Sequence, residues 1–357
     1  MKLWGGPFNI NSPKQLGVLL FEQRGLPPVK KTKTGYSTDA ETLERLRARD
    51  PIVGHILDWR QLTKLRSTYV DGLLKVIGPD GRVRTTFQMT VTATGRLSST
   101  DPNLQNIPTR TELGSELRGM FTAGPGCVLV DADYSQIELR LLAHIANDTV
   151  MQETFRSGGD IHTATAAQVF RVPPELVTPA MRRSAKAVNF GIVYGISEFS
   201  LAQDIGVTVR EAKEYREAYF RHFAGVRAYM DRIVEEAKEQ GYVATLYGRR
   251  RALPELKSSN HNTRAFGERV ALNMPIQGTA ADIMKRAMVR VRDRLRREGL
   301  QGRLLLQIHD ELIVECPAAE EAAVRRLLEE EMEGAASLSV PLTAEAGSGP
   351  NWLAAKP

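Results

Sequence analysis

Two short apolar segments, far apart in the chain, each lead into acidic residues. Residues 127–138 read CVLVDADYSQIE and predict a buried strand on which Asp131 and Asp133 share one face. Residues 303–315 read RLLLQIHDELIVE and predict two strands that meet at a tight turn containing Asp310. Mg²⁺ prefers carboxylate oxygens, and two carboxylates at strand ends are what a two-metal site needs. Together the segments favour a β-sheet with a metal site at one end.

Each segment also has a structural interpretation. An aspartate at a strand-to-helix turn often caps the helix, and Asp133 stands at such a turn. Ser135 and Glu138 have the spacing of a capping box, which gives Glu138 a structural role. Aspartate is also common in surface turns such as that of Asp310. The metal site is therefore predicted from the combination and not from either segment alone.

The rest of the chain predicts an α+β fold with a long helical insertion. The predicted elements are helices over 39–71, a hairpin of 73–77 and 83–87 with a turn at 78–81, a loop over 92–108, helices over about 144–272, a basic helix, the strand pair of 303–315 and a helix near 318–334. No apolar run approaches the roughly 20 residues that span a bilayer, so a membrane protein is excluded.

Signals of secretion are missing from the sequence. The first ten residues lack the apolar core of a signal peptide, and Cys127 and Cys316 are too few for a disulfide framework. We therefore expect a cytoplasmic protein.

The segment 178–195 (TPAMRRSAKAVNFGIVYG) predicts a helix that begins after Thr178, with Pro179 in its first turn, and stops at Gly195. Two cations and two aromatic residues recur every four positions and form one stripe: Arg182, Lys186, Phe190 and Tyr194. A solvated amphipathic helix would interleave glutamates, but positions 179–195 contain no acid. Cations suit a triphosphate and rings suit a base and sugar, so the stripe favours nucleotide binding.

The charge balance points to a polyanionic partner. Arginine and lysine number 48 against 42 acids, and 35 of the 48 are arginine, which binds phosphate in a bidentate manner. A GC-rich genome would give the same bias. The segment 279–298 carries seven basic and three acidic residues and suits a DNA backbone, or alternatively a solvated face.

Three side chains able to sense minor-groove acceptors, Arg269, Asn273 and Gln277, precede that basic segment at intervals of four. Pro275 interrupts their predicted helix, so the sequence does not decide whether the three side chains share one helix face.

Taken together, these motifs resemble those of the family A DNA polymerases, of the polymerase I type. The matching strings are KLRSTY at 64–69, TATGRLSS at 92–99, DPNLQNIP at 101–108, DYSQIE at 133–138, RxxxKxxxFGxxYG at 182–195, QGTAAD at 277–282 and HDE at 309–311. The resemblance implies an α+β right-hand polymerase fold with an antiparallel palm sheet, helical fingers and a partial helical thumb. It assigns residues 1–72 to the thumb, 73–143 and 273–357 to the palm, and 144–272 to the fingers, with the nucleotide-binding helix at 179–194.

The resemblance also implies roles for individual residues at the catalytic centre. Asp133 and Asp310, with the Tyr134 carbonyl, would ligate two Mg²⁺ ions, for which Mn²⁺ can substitute, and Glu311 would assist. The catalytic residues implied are Asp133, Asp310, Glu311 and Lys186. The triphosphate would be held by Arg182, Lys186, His162 and Gln136. Phe190 would pack on the incoming sugar and base, Tyr194 would lie beside the templating base, and Glu138 would be the steric gate against a ribose 2′-hydroxyl. Asp131 occupies a position that varies in the family and is expected to be structural or electrostatic.

Contacts with DNA follow from the same resemblance. Primer and template contacts are implied for Arg96, Gln105, Asn106, Arg269, Asn273, Gln277 and His309. The thumb tip would grip the duplex through Lys64, Ser67, Thr68 and Tyr69.

The implied activity is template-directed DNA synthesis in replication and repair. The partners would be primer-template DNA and dNTPs, bound by a cytoplasmic, nucleoid-associated monomer. The proofreading domain, the 5′ nuclease domain and the first thumb helices of the family have no counterpart, so we expect either a piece of a longer chain or a naturally short polymerase. Two alternatives are a non-catalytic DNA-binding protein and a single-subunit RNA polymerase. Glu138 favours deoxynucleotides as substrates and so argues against the RNA polymerase.

Overall fold

The computed structural model of the chain describes residues 8–32, 35–109 and 111–357. Within it the chain forms two compact units, Met1–Thr85 and Thr86–Pro357. None of the described helices is long and apolar enough to cross a membrane. The division of the chain into thumb, palm and fingers stays a prediction.

The first unit is mainly helical. Its helices are α1 (Pro13–Gly17), α2 (Ala40–Leu46), α3 (Pro51–Lys64) and α4 (Asp71–Leu74), with π-helical segments at Val18–Gln23 and Leu65–Val70 and a small ladder of β1 (Lys31–Thr32) and β2 (Gly35–Tyr36). Asp39 and Asp50 cap α2 and α3 by accepting hydrogen bonds from Thr42 N and Ile52 N. The core consists of leucines and isoleucines such as Leu16, Leu20, Leu43 and Ile56.

The predicted hairpin of 73–77 and 83–87 is wrong in most of its length. Its turn forms, with Gly78 N donating to the Arg82 carbonyl, but only the single bridge between Ile77 and Val83 follows from it. The residues before the turn instead continue the helical run that starts at Pro51.

The second unit is built around a four-stranded antiparallel sheet. Its strands are β5 (Cys127–Tyr134), β8 (Arg303–Ile308), β9 (Glu311–Pro317) and β10 (Ala344–Gly349), in the order β10-β5-β9-β8. Smaller ladders pair β3 (Thr86–Gln88) with β4 (Ser98–Thr100) and β6 (Tyr242–Ala244) with β7 (Arg250–Ala252). β5 lies between two neighbours, which explains its apolar sequence: Val130 and Ala132 are completely buried.

Helices surround this sheet and form most of the stretch between β5 and β8. They are α5 (Glu112–Gly119), α6 (Ile137–Ile145), α7 (Thr149–Arg156), α8 (Ile161–Phe170), α9 (Pro179–Val193), α10 (Glu198–Ile205), α11 (Val209–His222), α12 (Ala224–Gln240), α13 (His261–Arg297), α14 (Glu321–Glu333) and α15 (Trp352–Ala355). Many begin at a residue whose side chain accepts a bond from the first turn, such as Asp148, Asp160 and Thr178. The predicted α+β pattern with its helical insertion is confirmed.

Helix α13 does not break at Pro275. It runs without interruption through the proline, which is buried beside Met274 and Ile276. Packing on both sides of the helix therefore outweighs the loss of one backbone hydrogen bond. The predicted interruption is wrong, and Arg269, Asn273 and Gln277 lie on one continuous helix at four-residue spacing.

Candidate active site

The two predicted metal-binding aspartates lie side by side at one end of the sheet. Asp133 is the penultimate residue of β5 and stands opposite Glu311 in the β5-β9 ladder. Asp310 occupies the β8-β9 turn, and its carbonyl accepts a 3.0 Å hydrogen bond from Tyr134 N. The pairing of β5 with β9 thus joins two acids that are far apart in sequence, as the strand pattern predicts.

Glu311 is the most heavily contacted acid at this end of the sheet. Its Oε1 accepts hydrogen bonds from Trp352 Nε1 at 2.8 Å and from Arg118 Nη1 at 3.3 Å, and its Oε2 accepts one from Lys356 Nζ at 2.9 Å. Burial opposes its ionisation, but Lys356 and Arg118 outweigh that cost and hold the Glu311 pKa below its ordinary value. Glu311 is therefore a fixed, ionised acid.

The other acids respond differently to burial. Burial raises the pKa of Asp133, although the Lys356 ammonium 2.8 Å from Oδ2 offsets part of this. Burial, together with the charges of Glu138 and Asp133, raises the Asp310 pKa to about 7, while Arg96 opposes the rise. Both aspartates would accordingly gain from a nearby cation.

Asp131 is completely buried on the same face of β5. Burial and the neighbouring Glu311 charge raise its pKa well above the ordinary value, which favours the neutral acid, and neither of its carboxyl oxygens has a hydrogen-bond partner among the described residues. A neutral Asp131 fits the expected structural or electrostatic role.

The donor set suits a hard divalent cation. Asp133 and Asp310 supply carboxylate oxygens, and no ion-pair partner of Asp310 lies within 4 Å among the described residues. The described part of the chain contains no group of three or more His, Cys, Asp or Glu side chains arranged to hold an ion. Binding here would thus rest on two carboxylates, a main-chain carbonyl such as that of Tyr134, and oxygens supplied from outside the chain.

Three residues of the predicted stripe, Arg182, Lys186 and Phe190, lie on α9, and Tyr194 directly follows it. Thr178 Oγ1 accepts from Met181 N, Pro179 is the first helical residue, and Gly195 follows the helix end with a φ of +64°. Ala185, Val188 and Ile192 bury the opposite face. The stripe itself is partly or fully exposed, and the rings of Phe190 and Tyr194 stack with centroids 6.5 Å apart.

One cation of the stripe has an acidic partner outside the helix. Arg182 binds both carboxylate oxygens of Asp160, the residue that caps α8, at 2.6 and 3.1 Å. Lys186 is exposed, with no hydrogen-bond or ion-pair partner in the described part of the chain. Arg182 is thus already engaged in an ion pair, whereas Lys186 has no partner among the described residues.

His162, beside the same cap, is buried, and its Nδ1 lies 3.0 Å from Asn189 Nδ2 on α9. Burial lowers the His162 pKa to about 4, which keeps the ring neutral at neutral pH. Gln136, the fourth residue expected at the triphosphate, has a left-handed backbone and a buried Oε1 with no hydrogen-bond partner among the described residues.

Glu138 links the stripe to the sheet. Its carboxylate accepts a 2.7 Å bond from Arg96 Nη2 and a 2.8 Å bond from the Tyr194 hydroxyl. The predicted capping box with Ser135 is wrong: α6 begins after Gln136 without any side-chain cap, and Ser135 N donates to the Thr343 carbonyl. Asp133 does not cap α6 either. Charge-assisted bonds to a guanidinium outweigh a single helix-end amide.

The residues expected to contact DNA fall into two sets. In the second unit, Gln105 Nε2 donates to Gln307, whose Nε2 in turn donates to the His309 carbonyl. Asn273 Nδ2 lies 3.5 Å from the Tyr194 carbonyl, which brings the α13 row to the end of α9. Arg96, Asn106, Arg269 and Gln277 lie in the same unit.

In the first unit, Lys64, Ser67 and Thr68 are exposed at the end of α3 and on the π-helical segment after it. Tyr69 is only 7% exposed, so its side chain offers little surface for a duplex in this structure.

Sequence reasoning missed several neighbours of the site: Arg118, Asp160, Asn189, Trp352 and Lys356. Asp160 carries the signal of a helix cap, but nothing local predicts its pairing with Arg182. The others carry no motif, because their contacts depend on tertiary packing.

Comparison with known proteins places this geometry in context. The family model described as DNA polymerase family A matches residues 1–354. The chain is 57% identical to DNA polymerase I of Geobacillus stearothermophilus over 357 residues and 56% identical to that of Bacillus subtilis (strain 168) over 354 residues. Each alignment covers 99% of this chain, but the chain spans only 41% and 40% of the length of those relatives.

A solved structure also matches this chain closely in its fold. The chain aligns with the POL domain of Pol1 from M. smegmatis, in complex with DNA primer-template and dNTP, with a TM-score of 0.94 and 47% identity. The match covers 99% of this chain and 63% of that chain. The expected α+β polymerase fold is confirmed.

Proposed function

The chain belongs to DNA polymerase family A, and we propose from this premise that it is a template-directed DNA polymerase that adds dNTPs to a primer 3′-hydroxyl. The observation that carries the proposal is the meeting of two separately predicted constellations at Glu138. This acid accepts a bond from Tyr194 of the stripe, and its charge contributes to the raised pKa of Asp310. A nucleotide on the stripe would therefore reach the aspartates at the end of the sheet.

In this proposal the chain's own residues mainly bind and orient. Arg182, Lys186 and His162, with Gln136, hold the triphosphate, and Phe190 packs against the incoming sugar and base. Tyr194 lies beside the templating base, and Glu138 excludes a 2′-hydroxyl. These contacts convert a bimolecular reaction into one between groups already in place.

Asp133, Asp310 and the Tyr134 carbonyl would hold two Mg²⁺ ions, with Mn²⁺ as a substitute. When bound, such ions lower the pKa of an attacking hydroxyl and neutralise charge on the leaving group. The primer 3′-oxygen forms a bond to the α-phosphorus while the bond from that phosphorus to the bridging oxygen breaks, and pyrophosphate departs. Glu311, already fixed by Lys356 and Trp352, assists from the neighbouring strand.

Primer extension with a labelled primer tests the proposal. Asp133→Ala and Asp310→Ala are expected to abolish extension while DNA binding persists, whereas Asp293→Ala, an exposed acid on α13, leaves it unchanged. Extension at a near wild-type rate in either site variant would contradict the proposal and favour a DNA-binding protein without catalysis. Comparing dNTPs with NTPs, on DNA and RNA templates, separates this function from RNA synthesis.

Two finer proposals accompany this function. The chain acts as a monomer, which sedimentation in the presence and absence of primer-template checks. It is associated with the nucleoid, which imaging of a labelled chain in cells checks.

A further inference from the structure

The last helix brings a lysine into the acidic end of the sheet. Lys356 follows α15 directly, and its Nζ lies 2.8 Å from Asp133 Oδ2 and 2.9 Å from Glu311 Oε2. The Lys356 and Asp133 side chains are each 37% exposed, while Glu311 is 7% exposed. One ammonium thus bridges a candidate metal ligand and its assisting acid.

The position of this lysine is fixed by the contacts of α15. Trp352 donates its indole N–H to Glu311 and its backbone N–H to the Phe121 carbonyl at 2.9 Å. The Arg118 guanidinium lies 4.2 Å from the centre of the Trp352 ring. Asn351 caps the helix by accepting from Ala354 N. Lys356 therefore leaves a helix that is anchored at both its cap and its aromatic residue.

The sheet itself makes room for this segment. In the β10-β5 register, Gly347 stands opposite Asp131, and Glu345 stands opposite Asp133. Residues opposite each other in an antiparallel pair share one face, so Gly347 lies on the face of the sheet that carries Asp131 and Asp133. A Cβ at Gly347 would lie 2.4 Å from the Ala355 carbonyl oxygen, closer than real contacts allow. Only a glycine there lets the chain before Lys356 cross the strand.

We propose that Lys356 is a built-in counter-cation of the candidate metal site, which holds Asp133 and Glu311 together until a divalent ion neutralises Asp133. Without it, the ionised Glu311 and the carboxylates of Asp133 and Asp310 would repel one another in a partly buried place. Because Lys356 occupies Oδ2 of Asp133, it also competes electrostatically with the incoming ion. This proposal rests on the proposed metal site, and its two consequences are distinct: lower stability without metal and tighter metal binding when Lys356 is removed.

Mn²⁺ alone is the probe, and its free concentration is followed by electron paramagnetic resonance without DNA or nucleotide. Lys356→Met is expected to bind Mn²⁺ severalfold more tightly than the wild type and to melt at a lower temperature in EDTA, with Mn²⁺ restoring part of the loss. Lys356→Arg keeps the charge and is expected to behave like the wild type. Gly347→Ala displaces the segment and is expected to reproduce the Mn²⁺ effect of Lys356→Met with the lysine still present.

The outcomes separate the two proposals. If Asp133→Asn binds Mn²⁺ as well as the wild type does, the metal site itself is misplaced. If Asp133→Asn loses binding but Lys356→Met has wild-type or weaker affinity, the site stands and the counter-cation is refuted. A melting temperature lowered equally with and without Mn²⁺ would likewise refute it, because it would mean that Lys356 only anchors α15.

Discussion

The acidic end of the sheet and the stripe of α9 carry opposite charges and are assembled in different ways. At the sheet, Glu311 is held by Arg118, Trp352 and Lys356, which come from distant parts of the sequence. On α9, the helical repeat aligns Arg182, Lys186 and Phe190, and Lys186 is exposed to solvent. Tertiary contacts thus fix Glu311 beside the aspartates, whereas Lys186 stays accessible on a regular helix; this difference suits the proposed roles, a metal site of set geometry and a grip on a flexible triphosphate.

The strongest test of this contrast between the sheet end and the stripe is Lys186, the cation without a partner among the described residues. Lys186→Ala is expected to lower kcat/KM for dNTPs by about a hundredfold, because a charge-assisted contact to phosphate worth roughly 2–3 kcal/mol is lost. Single-nucleotide extension over a range of dNTP concentrations measures this.

Arg183→Ala is the matched control for Lys186, since Arg183 is exposed on the same helix but lies off the stripe. Equal losses in both variants would show that total charge matters and that the stripe does not.

Substitution of Glu138 tests the point at which the stripe approaches the acidic end of the sheet. Glu138→Ala is expected to lower the preference for dNTPs over NTPs by about a hundredfold, because the side chain proposed to exclude a 2′-hydroxyl is removed. Competition between dNTP and NTP at one template position measures it.

Tyr194→Phe removes the hydrogen bond to Glu138 but keeps the carboxylate and its bond to Arg96. The Tyr194→Phe variant should therefore lose only part of the preference for dNTPs over NTPs. Unchanged exclusion of NTPs in Glu138→Ala would leave the acid with a structural role only, as the partner of Arg96.

Asp160 sharpens the comparison, because it forms an ion pair with Arg182, one of the two cations of the stripe. Asp160→Asn keeps an oxygen for the α8 cap but releases Arg182, so the KM for dNTPs should fall by about threefold, as expected for a half-exposed ion pair. Steady-state extension measures the change.

Asp160→Ala removes the cap as well and should cost thermal stability in addition. A higher KM in Asp160→Asn would mean that the carboxylate orients Arg182 for the triphosphate and does not compete with it.

The smallest effect concerns the start of α9. Thr178→Ala removes the side-chain acceptor of Met181 N and should destabilise the second unit by about 1 kcal/mol, or roughly 2–4 °C in Tm. Differential scanning calorimetry measures it.

Ser184→Ala, in the interior of the same helix, serves as the control and should leave Tm unchanged. An unchanged Tm in Thr178→Ala would show that packing of Ala185 and Val188 alone fixes this helix.

Local patterns predicted their own elements well. The cap at Thr178, the stop at Gly195 and the turn between β8 and β9 are all where the sequence indicates. Several local signals failed, however, among them the hairpin predicted for 73–77 and 83–87, most of which did not form. The S-x-x-E pattern at Ser135 did not form a box because Arg96 attracts Glu138, and Pro275 did not end its helix because buried neighbours hold it in place.

The sequence by itself determined the helical stripe, the strand that leads into Asp133 and the acidic turn at Asp310, because these depend on hydrogen bonds and periodicity within a few residues. Only the tertiary structure decided which polar and charged groups face one another: Lys356 with Asp133, Trp352 and Arg118 with Glu311, and Asp160 with Arg182. Such pairs join residues from separate elements, and their strength depends on burial and distance, which no local pattern encodes.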